Sequence, residues 1–417
     1  NAIPTGTIAS IPAKAHAHRA LICAALATSP STILLSRTSK DIDATMDSLR
    51  GLGAHVVYEN KIVTVTPGPA PVKGNVVPHE SGTTLRLLLP VAASICNDVD
   101  VDAKGRLPDR PLEPMLGEMK AHGVTFSQDK PPFTMTGRLQ GGNFSMVGDV
   151  SSQFFSGLLL AAPQIGLSTI TSTTPLQSSD YVTLTTETMR DFGVEVEHTL
   201  PDTNINEAFT VPFGASFIGR DNYQIEGDWS NAAIWMVAAG MTGKPITITG
   251  MNKNSVQADR RIIQVMIDAG CDVVWDGMNI TVTGRASKPI HADLEQMPDM
   301  LPVMAALACS ISGESSFVKG ARLRLKESDR LVAVANLIRD FGGTVCEEGD
   351  DLYIIGSGIL KGGHGDCVND HRLVMAGTLM ALISENPVTL QDSEAITKSY
   401  PHFFEDWNLL GGNAQPV

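Results

Sequence analysis

At 417 residues and 44.4 kDa the chain is too long for one hydrophobic core, and its 43% apolar and 18% charged residues describe a globular protein of two or three domains. Thirty-one Lys and Arg against 45 Asp and Glu leave a net charge of -14, which repels a phosphate backbone and excludes nucleic acid as a general partner. The longest apolar runs, such as Leu85 to Ile95 with its interrupting Pro90, are shorter than a bilayer span, and Asn1 to Arg19 lacks the basic head and apolar core of a targeting segment, so the expected location is cytoplasmic. Cys23, Cys96, Cys271, Cys309, Cys346 and Cys367 are scattered without a C-x-x-C, which predicts reduced core thiols rather than disulfides or zinc. His16 and His18 have no third ligand at metal spacing, so no metal is expected.

In chain order, two kinds of helix alternate. The first kind is apolar nearly all round with a polar head: HAHRALICAALA, SGTTLRLLLPVAAS, VSSQFFSGLLLAAP, WSNAAIWMVAAG, PDMLPVMAALAC and DHRLVMAGTLMALIS. The second is amphipathic and stops at glycine: TMDSLRGLG, PMLGEMKAHG, TTETMRDFG, IIQVMIDAG, VANLIRDFG and FFEDWNLLGG, closing at Gly53, Gly123, Gly193, Gly270, Gly342 and Gly411. The closing glycines are 69 to 77 residues apart, and head markers Arg19, Arg86, Ser152, Ser230, Asp299 and His371 are 66 to 78 apart. Glycine takes the left-handed position after a helix without a Cβ penalty, and paired β-branched strands follow it, as in VVYENKIVTVTPG. The period predicts six βαβαββ-like units with the apolar helices innermost. Polar helix heads leave free backbone N–H groups, so a set of such heads brought together would bind anions even in an acidic protein.

The basic residues gather at these heads: Lys14, Arg19, Arg86, Arg110, Lys326, Arg330, Arg372 and Lys398. That number implies several phosphates and carboxylates held by charge-assisted bonds, with Arg86 and the solitary Lys398 also open to purely structural or solvated roles. KESDR places Lys326, Glu327 and Arg330 on one predicted helical turn, and MPDM places Asp299 at a helix head, which offers two carboxylates for acid and base work. VSSQF supplies Ser151, Ser152 and Gln153 as neutral donors, and SGTTLR puts Gly82 where backbone approaches a ligand or turns sharply.

The series KAHAHRALICAALA, SGTTLRLLLP, LPDRPLEPM, VSSQFFSGLLLAAP, SSDY, MPDM, RLKESDRL, NDHRLVMA and ITKSYP, in this order over nearly the whole chain, resembles the 5-enolpyruvylshikimate-3-phosphate synthase family. The resemblance implies an α/β fold of two inside-out, barrel-like domains of three units each, 13–225 and 1–12 with 226–417, with the substrates bound in the cleft between them. Ligand groups drawn from both halves then imply an open and a closed state. It implies transfer of the enolpyruvyl group of phosphoenolpyruvate to the 5-hydroxyl of shikimate 3-phosphate with release of phosphate, by a monomer, without metal or organic cofactor. Carried over, Ser151, Ser152 and Ser178 hold the shikimate phosphate, Gln153 and Tyr181 lie against the ring, and Arg19 meets the carboxylate. Lys14, Gly82, Arg110, Gln153, Arg330, Arg372 and Lys398 take phosphoenolpyruvate. Lys14 also serves shikimate 3-phosphate and the chemistry. Asp299 and Lys326 handle the 5-hydroxyl, and Glu327 moves the methylene proton with His371 close by. The resemblance further implies that glyphosate occupies the phosphoenolpyruvate site.

Three residues depart from the family's pattern. Ala15 replaces a serine, which leaves the shikimate carboxylate to Arg19 with His16 in support; Arg322 stands where asparagine is frequent, and Leu87 where proline is. Two other readings of the sequence are a UDP-N-acetylglucosamine enolpyruvyl transferase and a non-catalytic anion-binding protein of the same fold. The stretch Lys104 to Met115 lacks the loop cysteine of the former, and the retained Asp299 and Glu327 argue against the latter.

Overall fold

A computed structural model describes residues 3–200 and 206–416. The chain divides into two compact units. One, here the inserted unit, is the continuous segment Pro12–Ile225; the other, the terminal unit, combines Asn1–Ile11 with Glu226–Val417. The first segment belongs to the terminal unit because strand Gly6–Ala9 pairs in parallel with Ile246–Thr249.

Among the described residues, twelve α-helices alternate in kind as the period predicts. The apolar ones are α1 (Lys14–Ala25), α3 (Gly82–Ile95), α5 (Ser152–Ile165), α7 (Trp229–Thr242), α9 (Leu301–Cys309) and α11 (His371–Met380). The others are α2 (Lys40–Gly51), α4 (Met115–Ala121), α6 (Asp180–Asp191), α8 (Ile262–Asp268), α10 (Arg330–Asp340) and α12 (Phe403–Leu409). All six closing glycines have φ between +79° and +102°, the left-handed conformation that ends a helix and turns the chain into a strand.

Helices α3, α5, α9 and α11 each join two strands that pair in parallel, and the amphipathic helices from α2 to α10 each lead into an antiparallel hairpin. Thus Gly74–Val76, α3 and Asp98–Val101 form a parallel pair, to which Phe133–Thr136 and Thr125–Phe126 add antiparallel. The repeat departs from its sequence order in two places. Strand Tyr223–Gln224 pairs with Ser31–Leu34 in the first sheet of the inserted unit, and Gly6–Ala9 takes the equivalent place in the terminal unit. The last sheet contains two described strands, Gly363–Asp366 and Val388–Gln391, and among the described residues no hairpin joins it. Its helix α12 docks instead by aromatic contacts, with Trp407 stacked 5.9 Å from Trp235 of α7.

The apolar helices are the core of each unit, and their residues are buried almost throughout. Helices α3 and α5 approach backbone to backbone at Gly157, where a Cβ would stand 2.5 Å from the Arg86 carbonyl oxygen. That close approach brings the two helix heads level with each other.

Candidate active site

In the inserted unit, Ser81 caps α3 by accepting from the Thr84 N–H, and Ser151 caps α5 by accepting from Gln153 N–H. Between these heads, Arg86 donates to Gln153 Oε1 at 3.1 Å and to the Pro111 carbonyl at 3.0 Å, while Gln153 Nε2 donates to Thr83 Oγ1 at 2.8 Å. Arg86 therefore has a definite task, fixing the Gln153 amide. The guanidinium of Arg110 lies against Gly82: a Cβ there would meet its NH1 at 2.6 Å and its Cζ at 3.0 Å.

Lys14, in the first turn of α1, pairs with Asp41 of α2 at 2.7 Å. Below it, His18 Nδ1, Thr45, Thr84 and Ser81 form a chain of side-chain bonds of 2.6, 2.7 and 2.8 Å that links α1, α2 and the cap of α3. Burial pushes the His18 pKa well below 6.5, so this link is neutral. His16 is buried against the Tyr223 hydroxyl at 2.8 Å, and burial draws its pKa down to about 4. A neutral imidazole brings no positive charge to support Arg19. The two histidines also turn to different partners, which breaks any H-x-H chelate; among the described residues no group of three His, Cys, Asp or Glu could hold a metal.

Arg19 is 1% exposed. Its guanidinium donates to Thr185 Oγ1, the Ala15 and Tyr181 carbonyls and, at 3.3 Å, Ser156 Oγ, so in this conformation it braces α1 against α5 and α6 rather than facing a ligand. Ser178 is buried with φ +53°, a costly conformation for a residue with a Cβ, and it precedes α6, where Tyr181 stands.

The terminal unit gathers its predicted residues around Arg330, which is 1% exposed. The guanidinium binds Asp299 Oδ1 at 2.6 Å, Glu327 Oε2 at 2.8 Å and Asp370 Oδ2 at 2.8 Å. The expected single helical turn from Lys326 to Arg330 is not formed. Asp329 caps α10, so the helix begins at Arg330, and Lys326 reaches Asp299 Oδ1 at 3.1 Å from the preceding loop. The two cations meet on a carboxylate rather than on a helix face, and Arg330 is a hub of ion pairs.

Asp370 is the principal residue that the motif reading passed over. It is fully buried, caps α11 through the Arg372 N–H at 2.9 Å, and also accepts from Ser328 Oγ. Its signal in the sequence is an aspartate directly before an apolar helix, which Asp228 before α7 shares. Arg372 donates to the Ser230 carbonyl at 3.1 Å, and Lys398 to the Asn369 carbonyl at 2.8 Å, so both cations stand beside the α11 head where His371 is buried.

Charge sets the protonation of this cluster. Burial would raise Asp299, but Lys326, Arg330 and Arg372 hold its pKa far below the ordinary carboxylate range. Asp370 is lowered in the same way by Arg330 against the cost of burial. Burial pulls the Lys326 pKa below its usual value, with Asp299 opposing. Depressed carboxylate values contribute stability that is present above about pH 4 and lost as pH falls below it. The melting temperature should therefore fall on acidification from pH 4 to pH 3, and Asp299→Asn should flatten that fall; equal slopes for both proteins in calorimetry would contradict the assignment.

The chain matches the family model for EPSP synthase (3-phosphoshikimate 1-carboxyvinyltransferase) over residues 4–407. It belongs to that family. Curated relatives named 3-phosphoshikimate 1-carboxyvinyltransferase include one from Clostridium kluyveri, 36% identical over 98% of this chain and 95% of the relative, and one from Methanocorpusculum labreanum, 34% identical over 98% and 97%. A further relative of that name from Pyrococcus abyssi is 34% identical over 96% of this chain and 94% of its own. A solved structure of EPSP synthase from Acinetobacter baumannii has a TM-score of 0.80 at 24% identity, covering 99% of this chain and 96% of that one, which shows the shared mixed α/β fold. Among the described residues no helix is long and apolar enough to cross a membrane.

Proposed function

We propose that the chain transfers the enolpyruvyl group of phosphoenolpyruvate to the 5-hydroxyl of shikimate 3-phosphate, releasing phosphate, as a cytoplasmic monomer. The observation that carries the chemistry is the pairing of Asp299, ionised under Lys326 and Arg330, with Glu327, docked on the same guanidinium. The reaction needs a proton to leave the hydroxyl as its oxygen bonds C2 of phosphoenolpyruvate, and a proton to reach the C3 methylene. Asp299 with Lys326 serves the first and Glu327 the second, with His371 close by. The addition product then collapses: the C2–O bond to phosphate breaks while Glu327 takes a proton back from C3.

In this reading the inserted unit takes shikimate 3-phosphate. Ser151, Ser152 and Ser178 hold the phosphate, and Gln153 and Tyr181 lie against the ring. Lys14 serves both substrates. Arg19 would meet the carboxylate by exchanging its longest bond, to Ser156, for a charged acceptor. Phosphoenolpyruvate falls to Gly82, Arg110, Gln153, Arg330, Arg372 and Lys398. A ligand carboxylate arriving at Arg330 would compete with Glu327 for NH2 and so release the proton carrier as the substrate binds. Phosphate release from the two substrates together, and from neither alone, is the expected result. Release that requires UDP-N-acetylglucosamine, or binding without turnover, would overturn the reading.

Gly82→Ala tests the phosphoenolpyruvate assignment. The new methyl must displace the Arg110 guanidinium, a flexible end that can move but takes its charge with it. A steric penalty of about 1 to 3 kcal/mol predicts a 10- to 200-fold loss for glyphosate and a smaller one for phosphoenolpyruvate, with some turnover kept. Equal losses for the two ligands would mean a distorted helix head instead.

A further inference from the structure

The terminal unit contains a further buried carboxylate that the reaction above does not use. Asp259 lies in the 3-10 turn Ala258–Arg261 and is 2% exposed. Its Oδ2 accepts a short hydrogen bond from the Ser230 hydroxyl in the first turn of α7, and its Oδ1 is buried with no hydrogen-bond partner among the described residues. Arg372 approaches the same turn from α11 and donates NH1 to the carbonyl of that same Ser230, while its Nε is buried and equally unmatched. Ser230 therefore stands between the two charges, hydroxyl to one and carbonyl to the other. The charged groups that face Asp259 are Asp228 of α7, Asp299 from the turn Pro298–Met300, and Arg372 of α11.

We propose that Asp259 is a positioning residue for Arg372: it clamps Ser230, and with it the carbonyl that directs the guanidinium toward its anion. This rests on the reading of Arg372 as a phosphoenolpyruvate contact. A buried carboxylate with one satisfied and one unmatched oxygen is expensive to keep, and a partner helix head whose only described polar link to Arg372 passes through Ser230 gives it a use. The surroundings also separate the two neighbouring acids. Burial and the Asp299 charge push the Asp259 pKa up to about 6, with Arg372 opposing, whereas Asp299 stays ionised. The clamp accordingly changes charge near pH 6, and its ionised form offsets part of the guanidinium's field.

Steady-state kinetics and equilibrium binding of phosphoenolpyruvate in the presence of shikimate 3-phosphate test this. Asp259→Ala and Ser230→Ala should each raise the KM and Kd for phosphoenolpyruvate about tenfold, with kcat within about threefold and the KM for shikimate 3-phosphate unchanged. Asp259→Asn keeps an acceptor for Ser230 and should restore the affinity. Relative to that variant, the wild-type KM should climb as pH passes upward through about 6; the ratio cancels the titration of phosphoenolpyruvate itself. Should Asp259→Ala not fold, Ser230→Ala carries the same comparison. Asn performing as poorly as Ala, a fall in kcat at unchanged KM, or both constants unchanged in Ser230→Ala would each overturn the proposal. Wild-type protein that binds phosphoenolpyruvate but releases no phosphate would instead overturn the reading of the reaction, and the binding comparison would still decide the role of Asp259.

Discussion

Glu327→Gln should lose on the order of 10²- to 10⁴-fold in turnover while both substrates still bind. The amide keeps the size of the side chain and an oxygen that can accept from Arg330 NH2, the bond of 2.8 Å that docks Glu327 in place. What it loses is the capacity to carry a proton to and from C3. The two half-steps should fail together, so entry of solvent deuterium into the methylene of phosphoenolpyruvate should fall by about the same factor as turnover. Turnover within a few-fold of wild type would remove Glu327 from the reaction, and a matched collapse of binding would make it a structural partner of Arg330 only.

Asp370→Ala should cost stability rather than chemistry first. Its carboxylate accepts from Arg330 Nε at 2.8 Å and NH2 at 3.2 Å, from Ser328 Oγ at 2.9 Å and from the Arg372 N–H at 2.9 Å. Truncation strips the α11 cap and leaves a buried guanidinium short of one of its three counter-ions. Removing one partner of a buried pair typically costs about 3 to 5 kcal/mol, which corresponds to a melting temperature lower by roughly 10 °C for a unit of this size. Asp370→Asn retains the cap acceptor and should recover part of the loss. Calorimetry that finds less than about 1 kcal/mol for the alanine variant would show that Asp299 and Glu327 suffice for Arg330.

The features legible in the sequence are those written by neighbours along the chain. A glycine after an amphipathic stretch must end it, and all six do so in the left-handed conformation. An apolar helix with no polar side must be interior, so the core is written in the helices themselves. The partners of charges were not legible, because the chain separates them. Asp41 meets Lys14 across 27 positions, Asp370 meets Arg330 across 40, and Asp259 meets Ser230 across 29. Nor does a motif state which way a guanidinium faces. Arg19 and Arg330 occupy the positions that suggest ligand contacts, and the structure adds the bonds that each makes within its own unit.

The pairing of Gly6–Ala9 with Ile246–Thr249 also sets an order of events during synthesis. The bond from Thr5 Oγ1 to the Pro245 carbonyl spans 240 positions. At roughly 5 to 20 residues per second, the ribosome leaves that first strand without its partner for roughly 12 to 48 s. The inserted unit, continuous from Pro12 to Ile225, emerges whole within that interval and holds its own core. It can finish folding while the strand ahead of it waits. The nascent chain therefore carries an unpaired β-edge tethered to a completed domain, and this is the stage at which a chaperone, or a second nascent chain offering a strand, has its longest opportunity to engage it.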